Sequence, residues 1–156
     1  MIVLKRILYL FIFFIIVTGC SAKEDIVWFD TIDEAIEYGL KLENIEKRDI
    51  INKVYEKGEL FIFFKASGGP VLGVANIAEK NGQYTWFRGE PLVFVNNPLI
   101  SWETETYSKD TFNIYTGVLE RENMTIQTQY RAVTPYIDKT NNIFYYVEST
   151  ENPWDS

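Results

Sequence analysis

Apolar residues are distributed along this chain in three ways, and each implies a different kind of structure. Ile7 to Val17 is an unbroken apolar run of 11 residues, shorter than the roughly 20 that carry a helix across a bilayer core. From Thr31 onwards the spacing becomes helical, with Ile32, Ala35, Ile36 and Leu40 on one face. Thr31 and Glu34 have the spacing of a capping box, in which the hydroxyl accepts from a backbone N–H and the carboxylate reaches back to the cap. Asp33, Glu34 and Glu37 lie early, where the helix dipole favours negative charge. The spacing predicts a helix over about Ile32 to Leu42, which Gly39 weakens modestly.

Beyond the charged connector Glu46 to Asp49 the third pattern takes over, short β-rich runs separated by turn residues. The predicted strands are Ile50–Tyr55, Leu60–Lys65, Val71–Ile77, Tyr84–Phe87, Leu92–Val95, Phe112–Leu119, Met124–Tyr130 and Ile143–Glu148. Glu56-Lys57-Gly58-Glu59 and Lys80-Asn81-Gly82-Gln83 read as hairpin turns, Ser67-Gly68-Gly69-Pro70 as a loop, and Asp138 to Asn142 as a turn. One N-terminal helix followed by about eight strands is an α+β pattern. The expectation is a helix packed on an antiparallel β-meander, as a small sandwich or a partly open barrel.

Lys5 and Arg6 precede the apolar run, and Val17-Thr18-Gly19-Cys20 closes it. This order (basic, apolar, small, cysteine) resembles the signal peptide and lipobox of a bacterial lipoprotein. The family pattern usually begins with Leu and has Ala or Ser second; Val17 and Thr18 stand there as tolerated variants. The resemblance implies cleavage between Gly19 and Cys20, a diacylglyceryl group on the Cys20 sulfur, and a mature protein on the outer face of the cell membrane. Two acyl chains give stable anchoring where one alone is marginal. The chain as a whole resembles small lipoproteins of Gram-positive bacteria.

On this reading residues 1–19 are the signal peptide, 20–25 the lipidated cysteine and a short tether, 26–150 one globular domain, and 151–156 a flexible tail containing Pro153. Five extended residues, Ser21 to Asp25, reach about 17 Å, so the body is expected close to the outer leaflet.

Charge and composition narrow the chemistry. Removing residues 1–19 takes away Lys5 and Arg6 but no acidic residue, leaving 13 basic against 22 acidic side chains, a balance of −9. Such a surface opposes nucleic acid and anionic headgroups. Cys20 is the only cysteine, so its lipidation leaves no disulfide within the chain. The chain has no histidine, which removes the commonest general base and transition-metal ligand. No cofactor or metal site is expected.

The best candidate for a binding surface is aromatic: Tyr84, Trp86, Trp102 and Tyr107, with Phe87 nearby. Tyr84 and Trp86 would share one face of a strand and Phe87 the other. Aromatics also favour strands for packing alone, so a core role competes with recognition. Glu103 and Glu105 would share a strand face, and a nearby carboxylate pair can serve glycoside hydrolysis, but a solvated face explains them better. Asp138, Asn141 and Asn142 lack the glycine and glutamate of an EF-hand loop: those positions hold Ile143 and Ser149.

These readings favour a membrane-anchored, extracytoplasmic, non-catalytic domain whose partners are the bilayer, through Cys20, and a membrane or cell-wall protein or peptide. An immunity or inhibitor lipoprotein against a toxin or protease, its acidic balance suited to a basic peptide, is the alternative. An Asp/Glu-dependent wall hydrolase is a third reading.

Overall fold

Thr31 opens the helix as its spacing requires: its Oγ1 accepts from the Glu34 N–H at 3.2 Å, and Glu34 Oε2 accepts from the Thr31 N–H at 3.1 Å. In this computed structural model, which describes residues 26–152, helix α1 spans Ile32–Glu43 and ends on Asn44 in a left-handed conformation. The expected signal peptide, Cys20 and the tether to Asp25 lie outside the described residues, as do residues 153–156 of the expected tail. A 3-10 turn, Lys47–Asp49, leads into the strands.

Four strands form an antiparallel meander: β1 (Ile50–Glu56), β2 (Glu59–Ala66), β3 (Val71–Lys80) and β4 (Gln83–Phe87). The first and third connections are the two predicted tight turns. Lys57-Gly58 and Asn81-Gly82 adopt positive φ (50° and 85°, 56° and 76°), which glycine makes inexpensive. Short β5 (Val93–Phe94) pairs with the start of β3. A second sheet runs in the order β10 (Tyr136–Asp138), β11 (Ile143–Ser149), β7 (Thr111–Val118), β6 (Ile100–Glu105). The hairpin β8 (Ile126–Gln127) and β9 (Ala132–Val133) forms a third, small sheet.

The α+β class holds: antiparallel sheets with one α-helix. The strand inventory among the described residues is larger than expected, eleven rather than about eight. β6 is an addition, because its alternation of half-buried Ile100, Trp102 and Thr104 with exposed Ser101, Glu103 and Glu105 carries little apolar signal. The predicted strand Met124–Tyr130 is broken after Gln127, where the Thr128 N–H and hydroxyl both donate to the Arg131 carbonyl (2.9 and 2.8 Å) and turn the chain.

β2 explains the layering. Its continuous apolar run is buried on both faces, as central strands covered twice are. Phe61 and Phe63 point into a core shared with Phe112, Ile114, Tyr145 and Val147 of the second sheet. Leu60, Ile62 and Phe64 point the other way, against Ala35, Ile36 and Leu40 of α1. Outside the second sheet, Tyr115 and Phe144 pack under Ile126 and Val133 of the small hairpin.

Candidate functional site

The four candidate aromatics do not form one surface. Trp86 is a core residue, 7% exposed, between α1 and the sheet, with its ring 5.7 Å from Phe64. A Cβ on Gly39 would run into that ring, so the glycine costs helix propensity but allows the close approach. Tyr84 packs half-buried against the same core, and its backbone exchanges two 2.8 Å hydrogen bonds with Phe29. Trp102 packs instead against the inter-sheet core. Tyr107 lies in the turn after β6, edge-on to Trp28 (5.3 Å) and Phe87 (6.0 Å). For Trp86 the core role prevails over recognition, because α1 covers the face of β4 on which it lies. The indole N–H groups of Trp86 and Trp102 are buried without an acceptor among the described residues, while both rings pack against the cores.

The acidic candidates also resolve into structure. Glu103 and Glu105 stand exposed on β6, and Glu105 pairs with Lys109 at 2.6 Å. The Asp138 carboxylate accepts from the backbone N–H groups of Thr140 (2.9 Å) and Asn141 (3.3 Å), which is turn chemistry. No group of three or more His, Cys, Asp or Glu side chains suited to a metal ion occurs among the described residues.

Two buried carboxylates escaped the sequence reading. Glu59 accepts from Asn76 Nδ2 at 2.7 Å across the β2–β3 pair. Glu148, on β11, has its Oε1 3.1 Å from Thr128 Oγ1 and 3.9 Å from Arg131 Nε. With Tyr115, whose hydroxyl accepts from the Gln129 N–H at 3.0 Å, Glu148 ties the β8–β9 hairpin onto the second sheet. Burial pushes the Tyr115 phenol above its ordinary pKa. The residue types alone gave no sign of these ties, which depend on long-range neighbours.

Two grooves remain. One of about 530 Å³ is lined by Arg48, Lys65 and Lys139 with Asp49 and Asp138. Arg48 is paired with Glu46 at 2.9 Å and Lys139 with Glu122 at 2.8 Å. The other, about 590 Å³, lies where the described chain enters the fold, between residues 26–27, the end of α1 and β4. Ile26, Val27 and Leu42 line it and are 46%, 41% and 60% exposed. The Val27 carbonyl accepts from Thr85 Oγ1 at 2.7 Å, which fixes the entering segment against β4. Arg88 and Glu43 close one side as a half-buried ion pair at 2.6 Å. Its two charged lining residues are thus bound to each other, beside the three exposed aliphatic side chains.

The sequence carries a faint signal for this groove. Leu42 lies two residues beyond Leu40 and so off the buried helical stripe, and Ile26-Val27 begins an apolar stretch directly after Lys23-Glu24-Asp25. No protein-family profile, no curated protein and no solved structure matches the chain.

Proposed function

We propose that this chain is a lipoprotein, held on the outer face of a cell membrane through a diacylglyceryl group on Cys20, whose body is a non-catalytic binding domain. The observation that carries the reading is the ordered N-terminal sequence: Lys5-Arg6, the apolar run, then Val17-Thr18-Gly19-Cys20. The body beyond the short tether supports it. Among the described residues backbone pairing begins at Phe29, only nine positions after the cysteine. The two larger sheets share one core, which supports reading the body as a small sandwich. The partner in this reading is a membrane or cell-wall protein or peptide.

The test is the full chain with Cys20→Ser, expressed in a Gram-positive host beside the parent. The parent is expected to incorporate labelled palmitate and to pellet with membranes until detergent is added. The variant is expected to lose the label and to leave the pellet or accumulate unprocessed. Equal processing and equal membrane fractionation of the two proteins would overturn the anchor. Crosslinking in intact cells then reads the binding role, and recovery of the chain alone would count against it.

A further inference from the structure

We propose that the groove at the chain entry is a second membrane contact, with Ile26, Val27 and Leu42 resting among the headgroups of the bilayer that holds Cys20. The proposal rests on the lipid-anchor reading and adds to it the orientation of the body.

Reach is the first argument. Five residues separate Cys20 from Ile26, and extended chain spans at most about 3.3–3.6 Å per residue. Ile26 is therefore held within about 20 Å of the acylated sulfur, close enough for the groove to reach a headgroup region about 5–8 Å deep. Ile26 and Val27 are not free to swing away from the body, because Thr85 holds the Val27 carbonyl and Phe29 pairs with Tyr84. Whatever restrains Cys20 at the membrane also restrains this groove.

Charge is the second argument. The mature chain carries a balance of −9, and an anionic leaflet repels it as a whole. The tether residues Lys23, Glu24 and Asp25 add one net negative charge, so the face that approaches must bring no further unpaired acid. The groove's own charges, Glu43 and Arg88, are bound to each other, and on the solvent side of α1 Glu37 and Lys41 form a further pair at 3.0 Å. Three exposed aliphatic side chains around one depression, edged by paired charges, match an interfacial contact. Such a contact buries apolar side chains only to the headgroup boundary.

The chain offers a clean probe position, because Cys20 is its only cysteine and is blocked when acylated. Full-length lipidated Leu42→Cys, labelled with an environment-sensitive fluorophore, is reconstituted into phosphatidylglycerol–phosphatidylethanolamine vesicles with and without nitroxide-bearing lipid. Thr140→Cys, in the exposed β10–β11 turn, is the comparison. The label at position 42 is expected to shift to the blue and to be quenched about twofold or more by the nitroxide lipid, with the label at 140 unaffected. Equal quenching at both positions, with both proteins floating with vesicles, would overturn the orientation and leave the anchor standing. Shielding of position 42 from aqueous iodide without nitroxide quenching would also overturn it, pointing to a protein occupant. If the parent chain takes up the label at Cys20 and fails to float, the anchor and this proposal fall together.

Discussion

The two faces of the β1–β4 sheet are covered by layers of different construction. Between the sheets, Phe61 meets Phe112 edge-on at 4.9 Å and Phe63 meets Tyr145 at 4.7 Å. Large rings from strands about 50 to 80 residues apart in sequence fill that space, and no glycine is needed to admit them. On the other face a single helix covers the sheet, and the fit is an interlock of large with small: Trp86 over Gly39, with Ala35 and Ala75 beside it. The inter-sheet core is closed by strands on both sides. The helical layer ends in open apolar surface at Leu42 and the entering chain. The inter-sheet layer is thus closed on both sides, while the helical layer carries the exposed apolar edge.

That contrast can be broken first at Phe63, which is fully buried between the sheets. Phe63→Ala is expected to cost about 3–5 kcal/mol, read as a fall in the urea midpoint, from lost transfer energy and the cavity left behind. A loss below about 1 kcal/mol would show that the sheets repack around the gap and that the contrast is wrong.

Gly39→Ala tests the helical layer. Propensity alone would stabilise α1 by about 1 kcal/mol, but the new methyl meets the Trp86 ring, and overpacking costs about 1–3 kcal/mol. A net loss is expected, smaller than that of Phe63→Ala, and partly relieved by adding Trp86→Phe. A net gain in midpoint would mean that the helix rides loosely over the sheet.

The smallest effect is on pH dependence. Burial raises the pKa of Tyr145 above its ordinary 10.0, against a hydrogen bond from Asn52 that lowers it, and burial likewise raises that of Tyr115. A group that titrates later in the folded than in the unfolded chain stabilises the fold fully below its unfolded pKa. That contribution is lost as pH rises through the folded value. Urea midpoints should therefore fall above pH 10, and Tyr145→Phe should flatten that fall while lowering the baseline slightly. Parallel curves for parent and variant would remove Tyr145 from this account.

Local signals were legible wherever one or two neighbouring residues decide the geometry. Thr31 and Glu34 close their capping box, Asn81-Gly82 makes its hairpin, and the run through Leu60–Phe64 becomes a buried strand, because backbone conformation and periodicity are short-range properties. β6 and β10 were not legible. Their residues are strand-like only because β7 and β11 supply the hydrogen bonds beside them.

By itself the sequence determined the α+β class, the helix, the principal hairpins and the acidic balance, all consequences of local pattern and composition. The lipoprotein expectation at Cys20 also belongs to the sequence, since the motif is an ordered string. Only the tertiary structure decided which face each aromatic turns to. A strand places Tyr84 and Trp86 on the same side, but only the arrival of α1 makes that side an interior. The same holds for the groove, because Leu42 and Ile26 lie 16 positions apart in the chain and line one surface only after β4 is set between them.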